Sequence, residues 1–163
     1  MRDPIYKTRP VEPFSATFGG ERMNDFIVMS EGNYNTYLLE TSEGNILINT
    51  GMGYEAGVHK KNYDDFSSQP IKYVITTQGH VDHVGGVQYF RDHYPGLQYI
   101  AQAGNEEHQT YDGRLQPFRG SRSSFAFLDK FAECFAYYKE QGFDDFAQQD
   151  RPPADIIFEE RYE

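Results

Sequence analysis

The sequence lacks the features that mark secreted and membrane proteins. Its 163 residues contain a single cysteine, Cys134, which cannot form a disulfide within the chain and therefore suits a reducing compartment. No apolar run is long enough for a signal peptide or a membrane-spanning helix. These absences predict a cytoplasmic protein with no membrane partner.

Positive charge and tryptophan are also scarce. The chain has 15 Lys and Arg residues against 25 Asp and Glu residues, which gives a net charge of −10. Nucleic-acid affinity comes mostly from Lys and Arg side chains that neutralise phosphates, so this composition predicts no nucleic-acid partner. Trp is absent, whereas the 13 Tyr and 13 Phe residues are expected to lie mainly in the core. The length fits one domain.

Turn and strand signals in the first third of the chain predict an antiparallel meander. Residues 1–24 hold three prolines and no sustained periodicity, so they predict an irregular N-terminal arm that precedes a main domain at residues 25–163. Strands are predicted at residues 26–29, 34–41 and 46–49. Short turns join these strands, and short turns favour antiparallel neighbours.

A strand–helix–strand unit follows the meander. Residues 54–67 are polar with scattered apolar positions and predict a surface helix. Strong strand signals at residues 71–77 and 97–101 flank a segment, residues 82–94, with apolar residues at helical spacing. This order predicts two parallel strands joined by a helical crossover.

The last third of the chain combines a polar segment with an aromatic one. Residues 103–123 are polar and predict a loop, and residues 124–141 predict an amphipathic helix in which Cys134 is a small buried residue. The helix carries one apolar stripe, made of Leu128, Phe131, Phe135 and Tyr138. Residues 155–158 predict the beginning of a strand that has no partner in the predicted sheet.

The segment at residues 78–83 carries the clearest chemical signal, at the junction of a strand and a helix. Side chains two residues apart on an extended segment share a face, so Gln78, His80 and Asp82 are expected to converge. His83 turns inwards as the helix begins. Two imidazoles and a carboxylate form a ligand set for zinc or another borderline transition metal.

This pattern resembles the metallo-β-lactamase superfamily, whose motif is His-x-His-x-Asp-His after a strand, followed by Gly-Gly. The chain has the second His of the motif as His80, the Asp as Asp82 and the third His as His83. Residues 33–51 resemble the N-terminal hairpin of the family, and the whole resemblance covers about residues 25–102. It implies an α/β (α+β) fold, the αββα sandwich, of which this chain is about the N-terminal half.

The chain departs from the family pattern at two positions. Gln78 stands where the family has its first His, and Asn49 stands where the family has the Asp of an Asp-Thr-Gly turn. The resemblance implies that Gln78 and His80 serve a first metal site, whereas Asp82 and His83 serve a second. An amide is a weaker ligand than imidazole and Asn lacks the charge that orients a ligand, so both changes weaken the first site.

The resemblance also implies roles around the ligands. It assigns Asp82 to catalysis, as the residue that holds a metal and orients the attacking water, and it places Asn49, Gly51 and Gly85 beside the ligands. The other histidines are predicted to lie on the surface: His59, His93 and His108.

The function implied by the resemblance is metal-dependent hydrolysis. A metal-activated water would cleave an ester, lactone, sulfate ester, thioester or amide bond of a small-molecule substrate, with one or two zinc ions, or iron or manganese, as the cofactor. Residues 119–122 faintly resemble the insert of alkylsulfatase-like members, where Arg could hold an anionic group. Two alternatives stay open: a non-catalytic subunit with a degenerate metal site, and a mononuclear iron dioxygenase on the same fold.

A ligand count predicts that part of the site comes from elsewhere. A catalytic zinc usually takes three protein ligands and a water, but the four candidate residues at positions 78–83 supply only two ligands per metal. One αβ layer pair would also leave one face of its sheet uncovered. We therefore expect a second polypeptide, or a missing segment, to supply the C-terminal half of the fold.

Overall fold

One mixed sheet organises the described part of the chain, where its seven strands lie side by side in the order of the sequence. The computed structural model describes residues 15–123 and 125–162. The strands are β1 (Glu21–Arg22), β2 (Ile27–Ser30), β3 (Thr36–Leu39), β4 (Asn45–Ile48), β5 (Ile71–Ile75), β6 (Gln98–Gln102) and β7 (Ile156–Phe158). Strands β1 to β4 are antiparallel, whereas β4 to β7 are parallel. The predicted meander and the predicted crossover are both confirmed.

Among residues 15–123 and 125–162, five helices accompany the sheet. They are α1 (Ala56–Asp64), α2 (Val81–Val84), α3 (Val87–His93), α4 (Gly104–Ser123) and α5 (Phe125–Glu140). A 3-10 turn at Gly53–Glu55 leads into α1. The helix predicted at residues 82–94 is interrupted at Gly85 and Gly86, which separate α2 from α3. The crossover between β5 and β6 therefore contains two short helices.

The core lies between one face of the sheet and helices α1 and α3. Val28, Leu38, Leu47 and Val74 point from successive strands to this face, and each is at most 1% exposed. They pack in one cluster with Phe90 and other buried residues of the helices. Alternation along each strand places apolar side chains on this face, because neighbouring residues of a strand point to opposite sides.

Helix α5 covers the outer side of α1 and forms a second cluster. Tyr54 and Val58 contact a layer that includes Cys134 and Tyr138 of α5. The buried position of Cys134 is confirmed, and its burial raises the pKa of the thiol to about 12. The predicted stripe is wrong at Leu128, whose side chain is 61% exposed. The stripe on α5 instead runs through Cys134 itself.

Three other predictions about the chain are wrong. The helix predicted at 54–67 is not a surface helix, because α1 is enclosed between the sheet and α5. Residues 103–123 form helix α4 rather than a loop, and the buried positions of that helix include the polar residues Asn105 and Asp112. Strand β7 does have a partner, since it pairs in parallel with β6.

The opposite face of the sheet, called here the open sheet face, is apolar but incompletely covered. Its register brings together Tyr37, Leu39, Ile46, Ile48, Tyr73 and Ile75. Five of them are half-buried, and Tyr73 is 36% exposed. Residues 1–14 of the predicted N-terminal arm lie outside the described residues, but its later part adds β1 to one edge of this sheet.

Candidate metal centre

The candidate ligands lie at the carboxyl ends of the parallel strands. Residues 78–83 connect β5 to α2, and residues 49–51 form the turn after the neighbouring strand β4. Because adjacent parallel strands end at the same edge of a sheet, the two segments meet. The backbone N–H and the hydroxyl of Thr50 both donate to the His83 carbonyl oxygen, each at 2.9 Å. The turn and the candidate ligand segment are thus joined through one residue.

Gln78 contacts both histidines of the motif. Its Oε1 lies 2.5 Å from Nδ1 of His80, and its Nε2 lies 2.8 Å from Nε2 of His83. The contact between Gln78 and His80 agrees with the convergence predicted from alternation, and His83 approaches them at the start of α2. The convergence takes the form of hydrogen bonds between the candidate ligands.

Asp82 lies in the first turn of α2, directly beside His83. Its Oδ1 is buried and has no hydrogen-bond partner among the described residues. The same oxygen is 4.0 Å from Nε2 of His83. A buried carboxylate oxygen without a partner is costly, so this atom requires a cation or a donor that the described chain does not supply.

His83 is the most enclosed of the candidate ligands, with 5% of the residue exposed. Its Nδ1 is 3.3 Å from the Thr77 hydroxyl oxygen, and the Tyr34 ring packs 4.6 Å from its ring. Burial lowers the pKa of His83 below its ordinary value, the charge of His80 lowers it further, and Asp82 opposes both effects. The environment therefore favours the neutral imidazole, which is the form that binds metals.

Asn49 reaches the candidate ligand segment from the neighbouring turn. It has a positive φ of 59°, a conformation that Asn tolerates better than most residues. Its Oδ1 accepts from the backbone N–H of Thr77 at 3.0 Å and lies 3.2 Å from the Thr77 hydroxyl oxygen. Asn49 thus lies beside the candidate ligands, as the resemblance implied, and acts on them through Thr77.

His59 lies beneath the turn at residues 49–51, and its predicted surface position is wrong. It is fully buried, because α1 lies between the sheet and α5. Its Nδ1 is 2.7 Å from the Ser30 hydroxyl oxygen, whereas its Nε2 has no hydrogen-bond partner among the described residues. Burial lowers its pKa to about 3. Gly51, with a φ of 70°, passes over this ring, and a Cβ on Gly51 would lie 2.5 Å from Nε2 of His59.

Gly85, His93 and Arg119 are the other residues that the sequence analysis singled out. Gly85 is covered by the Gln149 side chain, which a Cβ on Gly85 would overlap. His93 is exposed in the last turn of α3, as predicted, and its Nδ1 lies 2.8 Å from the Tyr89 carbonyl oxygen. Arg119 binds Asp112, which Arg151 also binds at 3.1 Å. An anion-binding role for the segment 119–122 stays a prediction.

Two residues at the site were missed by sequence reasoning. His108 lies on α4 rather than in a loop, and its ring centroid is 4.3 Å from that of His80. Asn105 donates to the Thr76 hydroxyl oxygen at 2.8 Å and packs against Gly79. No apolar periodicity marks α4, so the sequence offered no signal that this helix would approach the site.

The fit to a metal differs between the two predicted pairs. Among the described residues, no group of three or more His, Cys, Asp or Glu side chains is arranged to hold a metal ion. The pair of Asp82 and His83 comes nearer to a metal pair, because Oδ1 of Asp82 is buried without a partner among the described residues, but its 4.0 Å separation from Nε2 of His83 exceeds the roughly 3.4 Å between two ligands of tetrahedral zinc. The pair of Gln78 and His80 does not fit as it stands, since Oε1 of Gln78 faces His80 instead. The ligand assignments stay predictions.

The fold and the site together define a class of protein: about half of an αββα sandwich that carries His and Asp side chains at its strand ends. The sequence matches the metallo-beta-lactamase superfamily over residues 29–159, so the chain belongs to that superfamily. Its members typically bind metal ions, often zinc. The α/β fold predicted from the motif is confirmed.

Solved structures of the superfamily resemble the chain over part of their length. The native FEZ-1 metallo-beta-lactamase from Legionella gormanii is 15% identical with a TM-score of 0.59, over 90% of this chain and 48% of that one. The subclass B3 enzyme BJP-1 from Bradyrhizobium japonicum is 27% identical with a TM-score of 0.53, over 58% of this chain and 36% of that one. The sec-alkylsulfatase Pisa1 from Pseudomonas sp. is 22% identical with a TM-score of 0.53, over 61% and 17%. The chain therefore spans about half, or less, of these relatives.

None of the helices in the described residues combines the length and the apolar character needed to cross a bilayer.

Proposed function

We propose that this chain carries the Asp82 and His83 side of a metal-dependent hydrolase site. The observation that supports the proposal is the buried Oδ1 of Asp82, which has no partner among the described residues and lies 4.0 Å from Nε2 of His83. A cation between them would remove the cost of burying an unpartnered carboxylate oxygen. Membership of a superfamily rich in hydrolases supports the reaction class.

The residues of the chain have separate tasks in this proposal. Asp82 and His83 would hold the metal, which supplies Lewis-acid polarisation and water activation when bound. Asp82 would also orient the attacking water. Gln78 and His80 stay the predicted ligands of a first site, although Oε1 of Gln78 faces His80. The two sites together would bind one or two zinc ions, or iron or manganese.

The substrate class follows from the family and from one relative. We propose a small molecule with an ester, lactone, sulfate ester, thioester or amide bond. The 27% identity to BJP-1, a metallo-beta-lactamase, supports amide bonds among these. The single buried cysteine supports a reducing compartment such as the cytoplasm.

The open sheet face supports a missing half. In this proposal a second polypeptide, or a further segment, covers Leu39, Ile46 and Tyr73 and donates the remaining metal ligands. Contiguous apolar surface of this kind on a soluble protein marks an interaction site. The comparison with the Legionella enzyme also supports a missing half, because this chain matches only 48% of the length of that enzyme.

Metal analysis with a matched pair of variants tests the function. Zinc, iron and manganese per chain are counted by mass spectrometry in the unaltered protein, in Asp82→Asn and in Asp92→Asn, whose aspartate is exposed on α3 and accepts from Gln88. We expect metal in the unaltered protein and in Asp92→Asn, and a loss of roughly tenfold or more in affinity in Asp82→Asn. Once the second half of the fold is supplied, hydrolysis of an ester, lactone, thioester, sulfate ester and β-lactam panel should follow metal content.

Other outcomes would favour the alternatives. Absence of metal and of hydrolysis, even after the second half is supplied, would contradict the proposal and favour a non-catalytic subunit. One iron per chain with oxygen consumption on a persulfide would favour the dioxygenase.

The missing half is tested by preparing residues 1–163 alone and measuring their mass in solution, metal content and ester hydrolysis. We expect association through the open sheet face, incomplete metal binding and little hydrolysis. A stable, metal-loaded, active monomer would contradict this part of the proposal.

A further inference from the structure

Residues 143–153, called here the crossing segment, lie between α5 and β7 and form neither a helix nor a strand. The crossing segment nevertheless packs against the body of the protein. Phe143 and Phe146 pack against the cluster that α5 forms with α1, and Ala147 packs against the main core cluster. These apolar contacts fix the path of the crossing segment over the protein.

Two glycines make room for the crossing segment beside the candidate metal centre. A Cβ on Gly53, which follows the turn at residues 49–51, would lie 2.5 Å from the Gln148 carbonyl oxygen. A Cβ on Gly85, at the end of α2, would overlap the side-chain amide of Gln149. Neither position can carry a larger side chain unless the crossing segment moves. The crossing segment therefore fits closely against both parts of the chain that meet at the centre.

Gln149 joins these two parts of the chain directly. Its Oε1 accepts from the backbone N–H of Gly53 at 2.8 Å, and its Nε2 donates to the Val81 carbonyl oxygen at 3.0 Å. Because an N–H only donates and a carbonyl oxygen only accepts, the two neighbours fix the orientation of the amide. The next residue adds a third contact, since the backbone N–H of Asp150 donates to the Gly85 carbonyl oxygen at 3.2 Å.

The contact of Gln149 with α2 falls between two candidate ligands. Val81 is the first residue of α2, and it lies between His80 and Asp82 in the sequence. Its carbonyl oxygen also accepts from the N–H of Gly85 at 2.9 Å, so Gln149 is a second donor to the same atom. A helix of four residues is not stable by itself, and its placement therefore depends on contacts from outside.

We propose that Gln149 is a positioning residue of the candidate metal centre. It ties the start of α2, which carries Asp82 and His83, to the segment that follows β4. It acts alongside Thr50, whose backbone N–H and hydroxyl both donate to the His83 carbonyl oxygen near the other end of α2. The inference rests on the proposed function for the ligand roles of Asp82 and His83, whereas the link through Gln149 holds whatever the chain catalyses.

Amide hydrogen exchange, followed by NMR, tests the link without metal. Gln149→Met keeps a side chain of similar length over Gly85 but removes both hydrogen bonds. The matched control is Gln148→Met, at the neighbouring exposed position. We expect the Gly53 N–H to exchange roughly three- to tenfold faster in Gln149→Met, the range that one lost hydrogen bond gives, with no change in Gln148→Met. Equal exchange rates in both variants would overturn the proposal.

Zinc affinity shows whether the link positions the ligands. Competition with a chromophoric chelator measures the binding of zinc alone to the unaltered protein and to both variants, and denaturant unfolding measures their stability. We expect zinc to bind roughly three- to tenfold more weakly to Gln149→Met than to Gln148→Met. Their unfolding midpoints should stay similar, because both positions are exposed. The visible spectrum of bound cobalt(II) should change only in Gln149→Met, since it depends on coordination geometry.

The possible failures can be told apart. Faster exchange in Gln149→Met with unchanged zinc affinity and an unchanged cobalt spectrum would overturn the positioning role and leave Gln149 as a packing contact. A lower affinity that only accompanies a matching loss of stability would also overturn it. Absence of zinc binding in the unaltered protein would contradict the proposed function, and with it the positioning of ligands, whereas hydrogen exchange alone decides the link.

Discussion

His59 and His83 lie on opposite sides of the turn at residues 49–51, and they differ in burial and in hydrogen bonding. His83, above the turn, is 5% exposed and both of its ring nitrogens have partners. His59, below the turn, is fully buried and one of its ring nitrogens has none among the described residues. The comparison teaches that the side of the turn that carries His83 keeps polar partners close to the ring, whereas the side that carries His59 is a packed interior. Changes below the turn should alter stability, and changes above it should alter metal binding.

The largest expected effect is the pH dependence of stability that His59 causes. Its pKa is about 3 in the folded protein and about 6.5 when unfolded, so the unfolded state binds more protons between these values. The stability that comes from keeping His59 neutral is fully present above pH 6.5 and is lost as the pH falls towards 3. Between pH 7 and pH 4 we expect a loss of about 3 kcal/mol from this residue, at 1.36 kcal/mol per pH unit. Denaturant unfolding at each pH measures it.

The control for this prediction is His59→Gln, which keeps every other titratable group, including the neighbouring Glu55. The stability of the variant should fall less steeply with acid. Equal slopes in the two proteins would show that His59 is not the source.

An effect of similar size is expected for Gly51→Ala. A Cβ at this position would lie 2.5 Å from Nε2 of the buried His59, and the φ of 70° also disfavours alanine. The two costs together should destabilise the protein by about 2–4 kcal/mol. Gly142→Ala is the matched control, because its φ of 71° is the same but nothing lies within 4 Å of its Cβ. Thermal unfolding should show a clearly smaller loss for the control.

The smallest effect on stability is expected above the turn, for Gln78→His. Gln78 is exposed, so unfolding free energy should change by less than about 0.5 kcal/mol. An imidazole is a stronger ligand than an amide. Zinc affinity should therefore rise roughly tenfold or more. Unchanged metal content, measured by mass spectrometry, would mean that position 78 points away from the metal.

The elements that the sequence predicted well depend on local patterns. The meander follows from short turns between β-rich runs, and the segment at 78–83 follows from its position at the end of a strand. Contacts between distant segments could not be predicted. His59 belongs to a polar segment and becomes buried only because α5 folds over α1. Helix α4 shows no apolar stripe, because its buried positions include Asn105 and Asp112, which hydrogen bonds satisfy.

The geometry of the candidate site was predictable only in part. Convergence of Gln78, His80 and His83 follows from side-chain alternation and the start of a helix, and the structure shows it. The surroundings of His83 include Thr77, which in turn contacts Asn49. Asn49 follows β4, a strand that becomes the neighbour of β5 only in the folded sheet. His108 arrives from a helix that was expected to be a loop.

The order of the sheet has a consequence for how the chain folds. Each strand from β2 to β7 pairs with the strand that precedes it in the sequence, so the pairings from β2 to β6 close comparatively short loops. The pairing of β6 with β7 is different, because Ile100 meets Ile156 across a connection that contains α4 and α5. Closing short loops costs less entropy than closing long ones, and sheets built from nearby segments fold faster than those that wait for distant ones. The sheet can therefore be assembled strand by strand as the polypeptide leaves the ribosome. The segment near Ala16 is an exception, because its backbone N–H donates to the hydroxyl of Tyr138, which is synthesised 122 residues later.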